Sequence, residues 1–98
     1  MAKMRVAILF GGVSSEHEIS CLSAASIADH IDTEKYDVMK IGITKKGRWL
    51  LFPGGTADMR SGAWETSPDN VPAFITPDAT THGLVLNHDA SFDVVKLD

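Results

Sequence analysis

The chain has 98 residues, 44% hydrophobic and 22% charged, with nine Lys and Arg against thirteen Asp and Glu for a formal net charge of -4. A chain of this size buries roughly 60 to 70% of its unfolded surface, enough for one domain with one core. The acidic balance excludes a nucleic-acid partner, whose phosphates need clustered cations, and the single cysteine, Cys21, excludes an internal disulfide or Cys-rich zinc site and fits a reducing, cytoplasmic setting.

Five apolar residues, Val6 to Phe10, precede Gly11-Gly12. That is too short for a signal-peptide core or a membrane span, so neither targeting nor a membrane partner is expected. The run reads as a strand buried on both faces, as in a parallel sheet. Ser15 with Glu18 three residues on forms a capping-box pattern, with Ser14 as an alternative cap, and predicts a helix from about Ser15 to about Ile31. At 100° per residue, Cys21, Ala24, Ile27, Ala28 and Ile31 share one arc with Ser20 and His17, which predicts the buried face. Its small side chains let the helix lie close on the strand. Ile19 and Leu22 fall outside the arc.

Asp32-Thr33-Glu34-Lys35 breaks the helix. Tyr36 to Thr44 then alternates, with Met39, Ile41 and Ile43 on one side and Tyr36 and Val38 on the other, and predicts a second strand parallel to the first. Lys45-Lys46-Gly47 is a turn, and Arg48 to Phe52 returns as an antiparallel strand. Pro53-Gly54-Gly55 through Pro72 is the most linker-like stretch. Pro72 to Thr76, Gly83 to Asn87 and Phe92 to Leu97 predict a small antiparallel meander, with turns at Pro77 to Thr80 and Asn87 to Asp89. No second helix pattern covers the other face of the sheet before Asp98, so an α/β domain incomplete at its C-terminus is expected.

Gly11-Gly12-Val13-Ser14-Ser15 is a glycine-rich strand-to-helix turn, but neither G-x-G-x-x-G nor a P-loop. It serves either as a tight turn alone or as a site where amide groups at a helix start meet a polar ligand. Glu16 either complements the helix dipole or accepts an ammonium group. Ile19 and Leu22 could touch a ligand or partner, although single exposed apolar residues are common. His17 and Cys21 stand four apart, as a nucleophile or metal pair would. Cys21 lies among alanines, which favours a core thiol. His82 and His88 flank a predicted strand. Lys45, Lys46 and Arg48 read as a solvated tip, and Trp49 and Trp64 as cover for the sheet. No acidic cluster suggests a metal site.

At Phe10-Gly11-Gly12-Val13-Ser14-Ser15-Glu16-His17-Glu18-Ile19-Ser20 the sequence resembles the N-terminal signature of D-alanine-D-alanine ligases and their D-serine and D-lactate relatives. The likeness continues through Ser23-Ala24, Lys35-Tyr36 and Ile41-Gly42-Ile43-Thr44, with Lys45, Gly47 and Trp49. It implies that residues 1–98 form the N-terminal Rossmann-like (pre-ATP-grasp) domain, a parallel sheet with β-hairpin additions. The central and C-terminal ATP-grasp domains would lie outside the chain.

The implied reaction is phosphorylation of one D-alanine carboxylate by ATP and attack by the amine of a second, for peptidoglycan precursors. ATP and magnesium would be bound by the other domains, the full-length enzyme would be a homodimer, and this chain alone would be inactive. By resemblance, Glu16 holds the first D-alanine's ammonium group, Ile19 packs on its methyl, and Gly11, Gly12 and Ser14 shape the turn; Glu16 is the one catalytic candidate. A non-catalytic Rossmann-like interaction domain, or the first domain of another ATP-grasp enzyme, are the competing readings.

Overall fold

The computed structural model describes residues 3–75, 83–88 and 91–97. The strands are β1 (Met4–Gly11), β2 (Tyr36–Ile43), β3 (Trp49–Leu51), β4 (Val71–Ile75), β5 (Gly83–His88) and β6 (Ser91–Lys96). Helix α1 spans His17–His30, α2 spans Thr56–Ser61, and a 3-10 turn covers Ala63–Thr66. The predicted turn at Pro77 to Thr80, together with His82 and Asp89, lies outside the described residues.

The strands follow chain order across one sheet of six. β1 and β2 pair in parallel from Met4↔Tyr36 to Gly11↔Ile43, while the four later pairings are antiparallel. The sheet is therefore mixed, a parallel pair extended by antiparallel strands. β3 and β4 share only Leu50↔Pro72 and Leu51↔Val71. Pro72 has no N–H for the ladder, and this narrow seam lets β4 to β6 fold back over one face.

Alternation along each strand then makes two cores. Phe10, Leu50 and Phe52 join Cys21, Ala24, Ala25, Met59 and Trp64 on the helix side. Ile41, Ala73, Leu84 and Leu86 are buried on the other side, with Met39, Trp49, Leu51 and Val95 packed around them.

Three local expectations change. β1 stands at the end of the strand order and Leu9 is 43% exposed, so the strand is not buried on both faces. The returning meander covers β2 and β3, and Ala7 is the β1 residue that joins its core. The buried face of α1 contains Ala25 while Ile27 is 55% exposed, because α1 packs sideways against α2 as well as down onto β1. Asp29, at the far end of α1, accepts hydrogen bonds from Thr56 and Arg60 of α2 and fixes that tilt.

The linker-like stretch is the third. Between Pro53 and Pro72 the chain forms α2 and the 3-10 turn, and it buries Met59 and Trp64 completely.

Candidate functional site

The turn between β1 and α1 lies at the carboxyl end of the parallel pair, where open α/β sheets bind ligands. Gly11 and Gly12 take φ of 86° and 106°, a backbone region costly for other residues. A β-carbon at Gly11 would also strike the Ile43 carbonyl oxygen. The Gly12 N–H donates to the Ile43 carbonyl at 2.7 Å, tying the turn to β2, and the Gly11 N–H donates to Ser20 Oγ at 3.0 Å, tying it to α1.

The predicted capping box does not form. Ser14 Oγ accepts from the Glu16 N–H at 3.2 Å, the Ser14 carbonyl accepts from the His17 N–H, and the helix starts at His17. Glu16 occupies the cap position, yet its side chain makes no capping hydrogen bond. The Glu18 carboxylate turns outward and pairs with Lys45 Nζ at 2.6 Å, an ion pair with both side chains well exposed. That contact, first as a hydrogen bond and then as a charge, holds the Glu18 carboxyl below its ordinary range and the Lys45 ammonium above its own.

Of the predicted residues, Gly11, Gly12 and Ser14 build the turn, Glu16 is exposed on it, and Ile19 is 58% exposed one turn further on. The exposure of Glu16 and Ile19 leaves a carboxylate and an apolar side chain open to a small ligand. Leu22 is exposed as well.

His17 is buried at 4% exposure. Its Nδ1 lies 2.7 Å from the Gly12 carbonyl and its Nε2 lies 3.0 Å from Glu65 Oε1. With both nitrogens engaged, neither serves Cys21. Burial pushes the Cys21 thiol up, so it is poorly suited to act as a thiolate. Among the described residues no group of three His, Cys, Asp or Glu could hold a metal ion.

Glu65, Trp64 and Met59 complete the wall beside His17, and none was singled out as a site residue from sequence. Met59 and Trp64 stand five apart, a spacing that matches no helical repeat, and they fall in two different short elements, so no local pattern marked them. A small hollow of about 150 Å³ opens between α1 and this wall. A larger one, of about 510 Å³, is lined by Arg5, Asp37, Lys40 and Val94. It sits at the amino end of the parallel pair, away from the glycine turn, and the strand-end rule favours the turn.

Residues 5–96 match the family described as D-ala D-ala ligase N-terminus. The chain belongs to the D-ala D-ala ligase N-terminus family. A D-alanine–D-alanine ligase of Caldicellulosiruptor bescii is 46% identical over 98 residues, all of this chain and 26% of that protein. The vancomycin B-type resistance protein VanB of Enterococcus faecalis is 42% identical over all of this chain and 27% of its own length. In structure, the VanG D-Ala:D-Ser ligase of Enterococcus faecalis superposes with a TM-score of 0.87 over 99% of this chain and 27% of that one, at 28% identity.

This ligase N-terminal chain thus spans about a quarter of the length of these relatives. In the D-ala D-ala ligase N-terminus family setting, the turn from Gly11 to Ser20 is the stretch where the quoted signature and the exposed carboxylate coincide.

Proposed function

We propose that the chain is the N-terminal, Rossmann-like unit of an ATP-dependent ligase that joins two D-alanines through a D-alanyl phosphate, for peptidoglycan precursors. Glu16 carries the reading: a carboxylate with no capping bond, exposed at a helix start directly after two positive-φ glycines. A D-amino acid is a zwitterion. Its ammonium group suits Glu16, its carboxylate suits the N–H groups of the helix start, and its methyl suits the exposed side chain of Ile19. Gly11, Gly12 and Ser14 hold the turn that presents them.

ATP and magnesium do not fit the residues of this chain. The glycine turn has no P-loop lysine, and the described residues offer no cluster for a cation. These groups would be held by central and C-terminal ATP-grasp domains beyond this chain, where they would activate the first carboxylate, and the 98 residues alone would not turn over. We place the complete enzyme in the cytoplasm, in keeping with the lone buried thiol. It would act as a homodimer, for which exposed Leu22 and Ile27 on α1 offer apolar surface.

The test is D-alanine-dependent phosphate release by the complete protein with ATP and magnesium, compared with glycine and L-alanine. Release confined to D-alanine supports the reading. Release without preference, or none, overturns it. Calorimetry on the 98-residue chain is expected to show no micromolar binding of ATP.

A further inference from the structure

We propose that Ser20 is a positioning residue for the first D-alanine site: its hydroxyl fixes the start of α1 against the end of β1 and so sets the place of the Glu16 carboxylate. This rests on the ligase reading above.

Strand geometry singles out the contact. Successive N–H groups of a strand point to opposite edges. Met4, at the start of β1, and Gly12, just past its end, both donate to the β2 side, at the Lys35 and Ile43 carbonyls. The even-numbered N–H groups therefore face β2 and the odd-numbered ones face the outer edge. β1 stands at the end of the strand order, so the Gly11 N–H points to a side with no paired strand among the described residues. Ser20 Oγ accepts that hydrogen bond at 3.0 Å, in a partly buried setting.

The residue type agrees with this role. Inside a helix a serine hydroxyl competes with the backbone and gives no advantage over alanine. Ser20 precedes Cys21 and stands one turn before Ala24, on the side of α1 that is buried, where alanine would suit the small-residue packing. Its hydroxyl instead reaches across to the strand.

Ser20 also holds the other end of the turn, because its own N–H donates to the Glu16 carbonyl at 2.8 Å. One residue thus bonds both Gly11 and Glu16, and the segment between them is closed into a loop whose ends meet at Ser20. The Gly12 N–H ties this loop to β2, and the His17 ring meets the Gly12 carbonyl, but neither contact engages the outer edge of β1. The Glu16 side chain makes no capping bond, so its carboxylate goes where the loop takes its backbone. Ile19, next to Ser20, moves with it. Without the hydroxyl the Gly11 N–H loses its partner and α1 is free to shift along β1, which weakens D-alanine binding without touching the groups that react.

The experiment uses the complete ligase and three readouts in the same samples: melting, the kcat and KM for the first D-alanine, and hydrogen exchange of the Gly11 amide. Ser20→Ala should raise KM about fivefold at nearly constant kcat, as fits the net worth of one neutral hydrogen bond, and should speed Gly11 exchange by a similar factor. Ser20→Thr keeps the acceptor oxygen and should hold KM within about twofold of the wild type, a rescue that a role in packing alone would not give.

A folded Ser20→Ala enzyme with wild-type KM, with a fall in kcat alone, or with unchanged Gly11 exchange overturns the proposal. So does a Ser20→Thr enzyme as impaired as Ser20→Ala. If Ser20→Ala does not fold, Ser20→Cys, whose thiol is a weak acceptor, takes its place with the same expected rise in KM. A wild type inert towards D-alanine overturns the ligase reading instead, and Gly11 exchange in the wild type and Ser20→Ala still decides whether the hydroxyl holds the strand.

Discussion

The indole of Trp64 fills the space where residue 42 would carry a β-carbon: any such atom at Gly42 would overlap ring atoms Cε3, Cζ3 and Cη2. Phe10 meets the same indole edge-on at 4.8 Å between centroids. The glycine in β2 is thus the seat of the largest buried side chain.

Gly42→Ala should therefore destabilise the chain by about 1 to 3 kcal/mol, the usual cost of overpacking a filled core. For a domain this small each kcal/mol lowers the melting midpoint by about 4 to 8 °C. A thermal melt that leaves Gly42→Ala beside the wild type would show that the indole has room to move aside.

Glu16→Gln in the complete enzyme should leave melting almost unchanged, because an exposed carboxylate at a helix start contributes only about 0.3 to 1 kcal/mol. Use of the first D-alanine should fall. A lowered melting midpoint with normal kinetics would make the role of Glu16 structural.

Cys21 should behave as an inert core thiol. It is buried, its ionisation is opposed by that burial, and its neighbours are Ala24, Ala25 and Trp64. Cys21→Ala should cost on the order of 1 kcal/mol and leave ligase turnover intact. Rapid labelling of the native thiol, or abolished activity in the alanine variant, would contradict this.

The Glu18–Lys45 pair should show itself through pH rather than through overall stability, since both partners are exposed. The folded Glu18 carboxyl titrates below its unfolded range, so its contribution is present above that range and is lost as pH falls through the folded value. The folded Lys45 ammonium titrates above its unfolded range, so its part is lost only as pH rises through that higher value. The melting difference between wild type and Glu18→Gln should thus be small at neutral pH, vanish in acid, and shrink with added salt. A difference that persists in acid would mean that Glu18 acts by packing.

Local patterns carried much of this architecture. The run from Val6 to Phe10, the alternation from Tyr36 and the breaks at Asp32 and Lys45 each became element boundaries within a residue or two, because they depend on chain-local chemistry. The turn residues Gly11, Gly12 and Ser14 stood out for the same reason. The capping box failed because Ser14 reached the Glu16 amide first and Lys45, arriving from the β2–β3 turn, drew Glu18 outward. Competition from a residue 27 positions away has no trace in a four-residue pattern. Glu65 and Trp64 were hidden likewise: their partners His17, Gly42 and Phe10 lie far off in the chain, and the Gly- and Pro-rich setting around them looks like a tether. Ile27 was misplaced because a helical arc shows that a face is apolar but not that a second helix will tilt it.

The two tryptophans sit in different cores, Trp64 fully buried under the helices and Trp49 half-buried beneath the folded-back meander. Each layer therefore contains its own built-in fluorophore. In a Trp49→Phe protein the remaining emission should be blue-shifted and should report the helix layer, with quenching by the adjacent His17 ring. In Trp64→Phe it should be redder and report the meander. If the layers come apart at different denaturant concentrations, the two emissions will separate, and the narrow β3–β4 seam becomes the place where the molecule divides.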